Sequence, residues 1–258
     1  MTVPLLKATG ISVRLGGRTI VNDVNVTLSA GEMVALVGPN GAGKTTLLKS
    51  LAGLLPASGT VELLGDHATT LGPRERARRL AYLPQGHNFS WPLPAGEIVA
   101  LGRYPHADPF SPVSAQDRAA VAHALEVTGT SDFADRIVTT LSGGERARVA
   151  LARVLATEAR VLLADEPIIS LDPRHQFVVM DVLRHVAQNG GAVLTVIHDL
   201  ALAARYASRV LVLEKGRIVA DETPQAALSP ERIATIFGVE AEMITIGDTQ
   251  VPMVRKPL

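Results

Sequence analysis

The chain has 258 residues, 47% hydrophobic but only 3% aromatic, with 25 basic and 25 acidic side chains and no cysteine. A formal charge of zero excludes a broad cationic surface for a polyanion, so nucleic acid is not an expected partner. The absence of cysteine excludes a disulfide framework or a thiolate metal site and fits a reducing compartment. No apolar run approaches the ~20 residues of a membrane span, and the start, MTVPLLKATG, is unlike a signal peptide, so attachment to a membrane would need another chain.

In chain order, alternation predicts antiparallel strands over Ile11–Leu15 and Ile20–Leu28, separated by the turn formers Gly16 and Gly17. The continuous apolar run Met33–Val37 predicts a buried strand, a Gly-rich loop follows, and Thr46–Leu55 has helical spacing up to Pro56. A Pro-rich stretch, Pro92–Pro112, leads into a helical segment, Ser114–Val127. Two further buried strands are expected at Arg160–Ala164 and Ala192–Ile197, with a helix at Arg174–Gln188 between them. Strands alternating with helices argue for a parallel sheet. Short strands at Val210–Leu213 and Arg217–Ala220 come next, then a helix at Pro230–Phe237 and an irregular tail.

The loop GPNGAGKT contains Gly38, Pro39, Asn40, Gly41, Ala42, Gly43, Lys44 and Thr45, with Thr46 directly after it. Its glycines let successive backbone amides converge on phosphate oxygens. Lys44 brings a positive charge to the β and γ phosphates, Thr45 an oxygen to Mg2+, and the following helix its N-terminal dipole. In VLLADE, four apolar residues carry Asp165 and Glu166 to the end of a buried strand. That position suits a carboxylate for Mg2+ and a second one to polarise an attacking water.

The segment LSGGE, with Ser142, Gly143, Gly144 and Glu145, precedes a helix and is a second anion site on physical grounds. It resembles the signature of ABC transporter ATPases. Other motifs match in order: Gln85 in YLPQ resembles the Gln loop that touches Mg2+, SLD at Ser170–Asp172 the loop crossing between subunits, and His198 after VLTVI the switch histidine. The resemblance covers nearly the whole chain. It implies a P-loop NTPase (RecA-like) α/β core with an N-terminal antiparallel β subdomain and an inserted α-helical subdomain. The expected division is 1–85 and 158–238 for the core, 86–157 for the helical part and 239–258 for the tail.

The resemblance also implies ATP and Mg2+ as ligands, with Lys44, Gln85, Glu166 and His198 catalytic and Thr45, Gln85 and Asp165 at the metal. It implies a homodimer in which the loop of one copy is closed by Ser142–Glu145 and Asp172 of the other. Two membrane permease subunits and, indirectly, a substrate-binding protein are the further partners, at the cytoplasmic face of the cell membrane.

The family's usual adenine-stacking aromatic is replaced here by Leu15, flanked by Arg14 and Arg18, which implies loose base recognition. The stretches Ser90–His106, with VALGRYPH, and Asp221–Val239 resemble ATPases of importers for ferric siderophores, haem and cobalamin. Phe89, Trp91, Pro92 and Leu93 are expected to offer an apolar surface to a membrane subunit. The seven histidines show no metal-ligand spacing, so the cargo is expected not to touch this chain.

Overall fold

The computed structural model describes residues 3–86, 89–108, 112–169 and 171–258. Strands β1 (Leu6–Leu15), β2 (Arg18–Leu28) and β3 (Met33–Val37) precede helix α1 (Lys44–Leu51). Strands β4 (Ser58–Leu63) and β5 (Asp66–His67), helix α2 (Pro73–Arg79) and strand β6 (Leu80–Leu83) follow. Helices α3 (Ala95–Ala100), α4 (Ala115–Val127) and α5 (Gly143–Leu155) form a helical block. The chain then alternates through β7 (Val161–Asp165), α6 (Pro173–Gln188), β8 (Ala192–Val196) and α7 (Leu200–Tyr206). It ends with β9 (Arg209–Glu214), β10 (Arg217–Glu222), α8 (Pro224–Ala227), α9 (Pro230–Phe237), β11 (Val239–Ile246) and β12 (Thr249–Pro257).

The central sheet has six strands in the order β10-β9-β3-β8-β7-β6, parallel except for β10. Strands β3, β7 and β8 are buried along their whole length, as expected where both faces of a parallel sheet are covered. Their side chains part by period two. Val34, Leu36, Leu163, Leu194 and Val196 point into one core, shared with α1 and the antiparallel strands. Met33, Ala35, Val37, Leu162, Ala164 and Val193, with Ile197 just past β8, point into the other, shared with residues of α5, α6 and α7. A third core joins α3, α4 and α5 around Ile98, Val99, Ala124 and Val149.

The expected N-terminal antiparallel sheet is present and larger than the alternation suggested. Its order is β2-β1-β4-β5, the last two strands returning after α1. Helix α1 starts at Lys44, directly on the Gly-rich loop, and ends at Leu51, short of the expected Leu55, because Gly53 turns the chain with φ 72°. The tail is not irregular. Residues 239–257 form the hairpin β11/β12, whose Val251 is 3% exposed within the core shared with α7 and α9. Pro252 and Pro257 and the charged outer residues hid it from the sequence. A two-stranded ribbon is marginal alone, and burial against the helices is what sustains it. Among the described residues no helix is long and apolar enough to cross a membrane.

Candidate functional site

The C-terminal ends of β3, β6, β7 and β8 bring the phosphate loop, Gln85, Asp165, Glu166 and His198 to one edge of the central sheet. An open parallel sheet holds ligands at that edge. Gly38 is tightly enclosed: a Cβ there would lie 2.1 Å from the Leu213 carbonyl oxygen. Gly43, at φ 104°, caps α1 without any side-chain hydrogen bond, and its virtual Cβ would meet the Ile20 carbonyl at 2.9 Å. The β1/β2 ribbon and the end of β9 therefore press the loop from two sides, and only glycine fits at these two contacts.

Lys44 is 6% exposed, and its Nζ donates to the carbonyls of Gly38 at 2.7 Å and Pro39 at 3.0 Å. The loop thus curls around its own cation. Burial lowers the lysine pKa from its ordinary value, while Glu166 and Asp165 oppose that shift. Thr45 Oγ1 donates to Asp165 Oδ1 at 3.1 Å, and Tyr82 OH donates to Asp165 Oδ2 at 3.2 Å. Burial raises the pKa of Asp165 despite these two bonds, and burial raises that of Tyr82 as well. Thr45 and Asp165 together form a pair of hard oxygen donors of the kind Mg2+ takes.

Glu166 is held from both ends. Its Oε1 lies 2.6 Å from His198 Nε2, and its Oε2 accepts from Gln85 Nε2 at 2.8 Å. Its backbone has φ 50°, unusual for a residue with a side chain. Such strain persists only where surrounding contacts over-determine it. Gln85 reaches Glu166, and Asp165 is bonded instead by Thr45 and Tyr82.

The second anion site stands apart on α5. Ser142 Oγ accepts from the Glu145 amide at 3.2 Å, and the Ser142 amide donates to Glu145 Oε2 at 2.7 Å, a reciprocal capping box. The Ser142 backbone bond lowers the Glu145 pKa. Gly144 lies against Leu171 and His175, the latter in the first turn of α6. Asp172 caps α6: Oδ1 accepts from the His175 amide at 3.0 Å, and Oδ2 is 2.6 Å from His175 Nδ1. Ser170, expected in the same loop, lies outside the described residues. Leu15, 42% exposed, sits at the tip of the β1/β2 ribbon beside Arg18, its cross-strand partner.

Of the expected residues, the structure brings together Gly38 to Thr46, Gln85, Asp165, Glu166 and His198. Ser142 to Glu145 lie beside the Asp172 cap as a separate group. Sequence reasoning missed Tyr82, the second partner of Asp165, and His175, which fastens Asp172. Tyr82 opens the YLPQ segment that was read for Gln85 alone, and His175 lies in no motif; the pairing of β6 with β7, Tyr82 opposite Leu163, aligns Tyr82 with that carboxylate.

A glycine loop feeding a helix, two acids at the end of a second strand of the same parallel sheet, one strand away, and a distant capped helix define a P-loop nucleoside triphosphatase. A family model described as "ABC transporter" matches residues 21–169. The chain is 45% identical over 240 residues to "Hemin import ATP-binding protein HmuV" of Rhodococcus jostii, an alignment covering 93% of this chain and 82% of that protein. It is 43% identical to "Cobalamin import ATP-binding protein BtuD" of Halobacterium salinarum, over 90% of this chain and 58% of that one. Among solved structures, the dimeric post-hydrolysis state of the ATP-binding cassette MJ0796 bound to ADP and Pi superposes with a TM-score of 0.74. It is 26% identical, and the match covers 85% of this chain and 98% of that one. The chain belongs to the ABC transporter family, as one of its ATP-hydrolysing subunits.

Proposed function

We propose that this subunit drives an importer of haem or another iron chelate, as a homodimer beneath two membrane permease subunits supplied by a separate binding protein. The observation that carries the shared-site reading is the separation of two anion sites within one chain. The Lys44 loop opens α1, whereas the Ser142–Glu145 cap opens α5. A twofold pair lets each complete the other, and the dimeric ADP-bound cassette supports that arrangement. The cargo class rests on the haem-import relatives together with VALGRYPH; the cobalamin-import relative makes cobalamin the second reading.

In this reading the amides of Gly38 to Thr46 receive the β and γ phosphates and Lys44 turns its ammonium from the loop carbonyls to them. Thr45, with Asp165 through water and Gln85 nearby, would hold Mg2+, which draws charge from the phosphate oxygens. Glu166 takes a proton from water as the water oxygen bonds to the γ phosphorus and the bond to the β-phosphate oxygen breaks. His198 and Gln85 hold that carboxylate on line. Ser142, Gly143, Gly144, Glu145 and Asp172 of a second copy close the site, and Leu15 lies under the base.

The expected apolar docking surface divides in two. Phe89 and Leu93 pack into the helical block, whereas Trp91, 68% exposed, and Tyr104, also 68% exposed, remain on the outside. Arg103 ties Tyr104's turn to the block, donating to Asp117 Oδ1 at 2.8 Å and to the Ala156 carbonyl at 2.7 Å. Permease contact is proposed at Trp91 and Tyr104.

Reconstitution with the co-purifying permease and binding protein tests the cargo. Stimulated ATP hydrolysis and uptake with haem or a ferric chelate are expected, and stimulation by cobalamin alone would replace the first reading by the second.

A further inference from the structure

A cavity of about 800 Å3 lies away from the phosphate loop, in the cleft between α4 of the helical block and α6 of the core. Its volume is within the range of small-molecule and cofactor sites. The walls are built by helix periodicity. Ala120 and Ala124 line it from α4, and Val182 and Val186 from α6, with His123 and His185 among them on the two opposing helices. Neither imidazole has a hydrogen-bond partner among the described residues, although both acids at the rim are engaged. Asp181 pairs with Arg184 at 2.7 Å and accepts from Tyr206 OH at 3.2 Å, and Glu158 pairs with Arg103 at 2.6 Å. Arg160 meets only the Gly190 carbonyl, at 3.3 Å, and no carboxylate among the described residues.

A largely apolar cleft with an exposed imidazole on each of its two flanking helices and an acid-free guanidinium at the rim suits one ligand class. The ligand is flat and apolar, carries a metal that takes nitrogen, and bears carboxylates at its edge. Imidazole is the common axial ligand of haem iron, and facing helices are a usual place for such a cofactor. We propose that this cleft is an iron-porphyrin site, held by imidazole ligation from His123 and His185 and by Arg160 at a carboxylate. Sequence spacing could not reveal it, because the two histidines lie in different helices that flank the cleft. Of the two walls, α4 belongs to the helical block and α6 packs on the central sheet, so a bound porphyrin ties one to the other. Where the cargo is haem, the site gives the ATPase direct contact with what is transported. The inference rests on the proposed cargo only for that meaning, not for binding itself.

The test is titration of the isolated full-length subunit with hemin, followed by the shift of the Soret band. A saturable one-to-one complex is expected, with His123→Ala and His185→Ala each weakening it by about tenfold or more. Ala120→Phe, which fills the slot, should abolish the complex with little change in Tm, and His67→Ala and His175→Ala should leave it unchanged. Iron-free protoporphyrin should bind more weakly than hemin. No saturable complex, or equal loss in the His67 variant, would mean adventitious surface binding and overturn the site. Haem uptake by the reconstituted transporter is a separate measurement: its failure with hemin binding intact removes the cargo reading and leaves the site.

Discussion

Two helix N-termini in this chain are built for anions in opposite ways. Helix α1 opens on Gly43 with no side-chain cap and no acid in its first turn, and its loop is clamped between the Ile20 and Leu213 carbonyls. Helix α5 opens on Ser142, capped by its own Glu145. The first end is left electrically hungry by enclosure: its amides have no rival anion, and its lysine is lent to backbone carbonyls. The second is already satisfied by a carboxylate, in the place where a negative charge stabilises a helix start. A triphosphate therefore gains most at α1, while α5 can receive it only by competing with Glu145. Under the proposed function, that asymmetry makes the loop the holder and the cap the closer.

The contrast can be broken at several strengths. The largest effect is expected on the α1 side, where Glu166→Gln removes the proton acceptor. Turnover should fall by a factor on the order of 10²–10⁴ while ATP still binds, measured by steady-state hydrolysis and nucleotide-dependent dimerisation. Unchanged turnover would remove Glu166 from the chemistry.

Ser142→Ala is the matching lesion on α5. It should cost about 1 kcal/mol of stability, read as a lower unfolding midpoint, and should weaken ATP-dependent dimerisation while leaving nucleotide binding by the isolated subunit intact. Loss of nucleotide binding by the isolated subunit would show that the two ends are not separate sites.

Acid should also tell the regions apart. In the helical block, bonds from Ser114 and Arg103 lower the Asp117 pKa to about 2 from 3.8. A depressed carboxylate stabilises above its unfolded pKa and loses that contribution as pH falls through its folded one. The Tm difference between wild type and Asp117→Asn should thus be full above pH about 4 and close towards pH about 2. Asp165 has the opposite sign: its raised pKa means that ionisation costs stability, and acidification relieves it. A gap that stays constant across this range would contradict the assignment for Asp117.

The smallest change concerns Thr195, fully buried in β8, whose hydroxyl has no hydrogen-bond partner among the described residues. An unsatisfied buried hydroxyl is costly, so Thr195→Val should raise stability by about 1 kcal/mol, visible as a higher denaturant midpoint. A lower midpoint would mean that the hydroxyl has a partner in solution.

Much of this was legible because it is local. The apolar run Met33–Val37 has no reading other than buried strand once a glycine loop follows it, and the order of motifs from Lys44 to His198 carries the family. Cap chemistry was legible too, since Ser142 and Glu145 are three residues apart on one helix. The β4/β5 return, the C-terminal hairpin and Tyr82 were not. Each depends on a partner distant in sequence, and alternation alone does not name the partner.

From sequence alone came the chemical parts: a phosphate loop, two acids at a strand end, a capped helix and a leucine where an aromatic is usual. Their arrangement came from tertiary structure. Pairing of β6, β7 and β8 in one parallel sheet sets Gln85 and His198 on the two oxygens of Glu166, and the fold places α4 and α6 on two sides of one cavity lined by His123 and His185. The physical reason is the same in both cases. Covalent neighbours fix what a residue is able to do, but only burial of long-range contacts fixes which other residue it does it with.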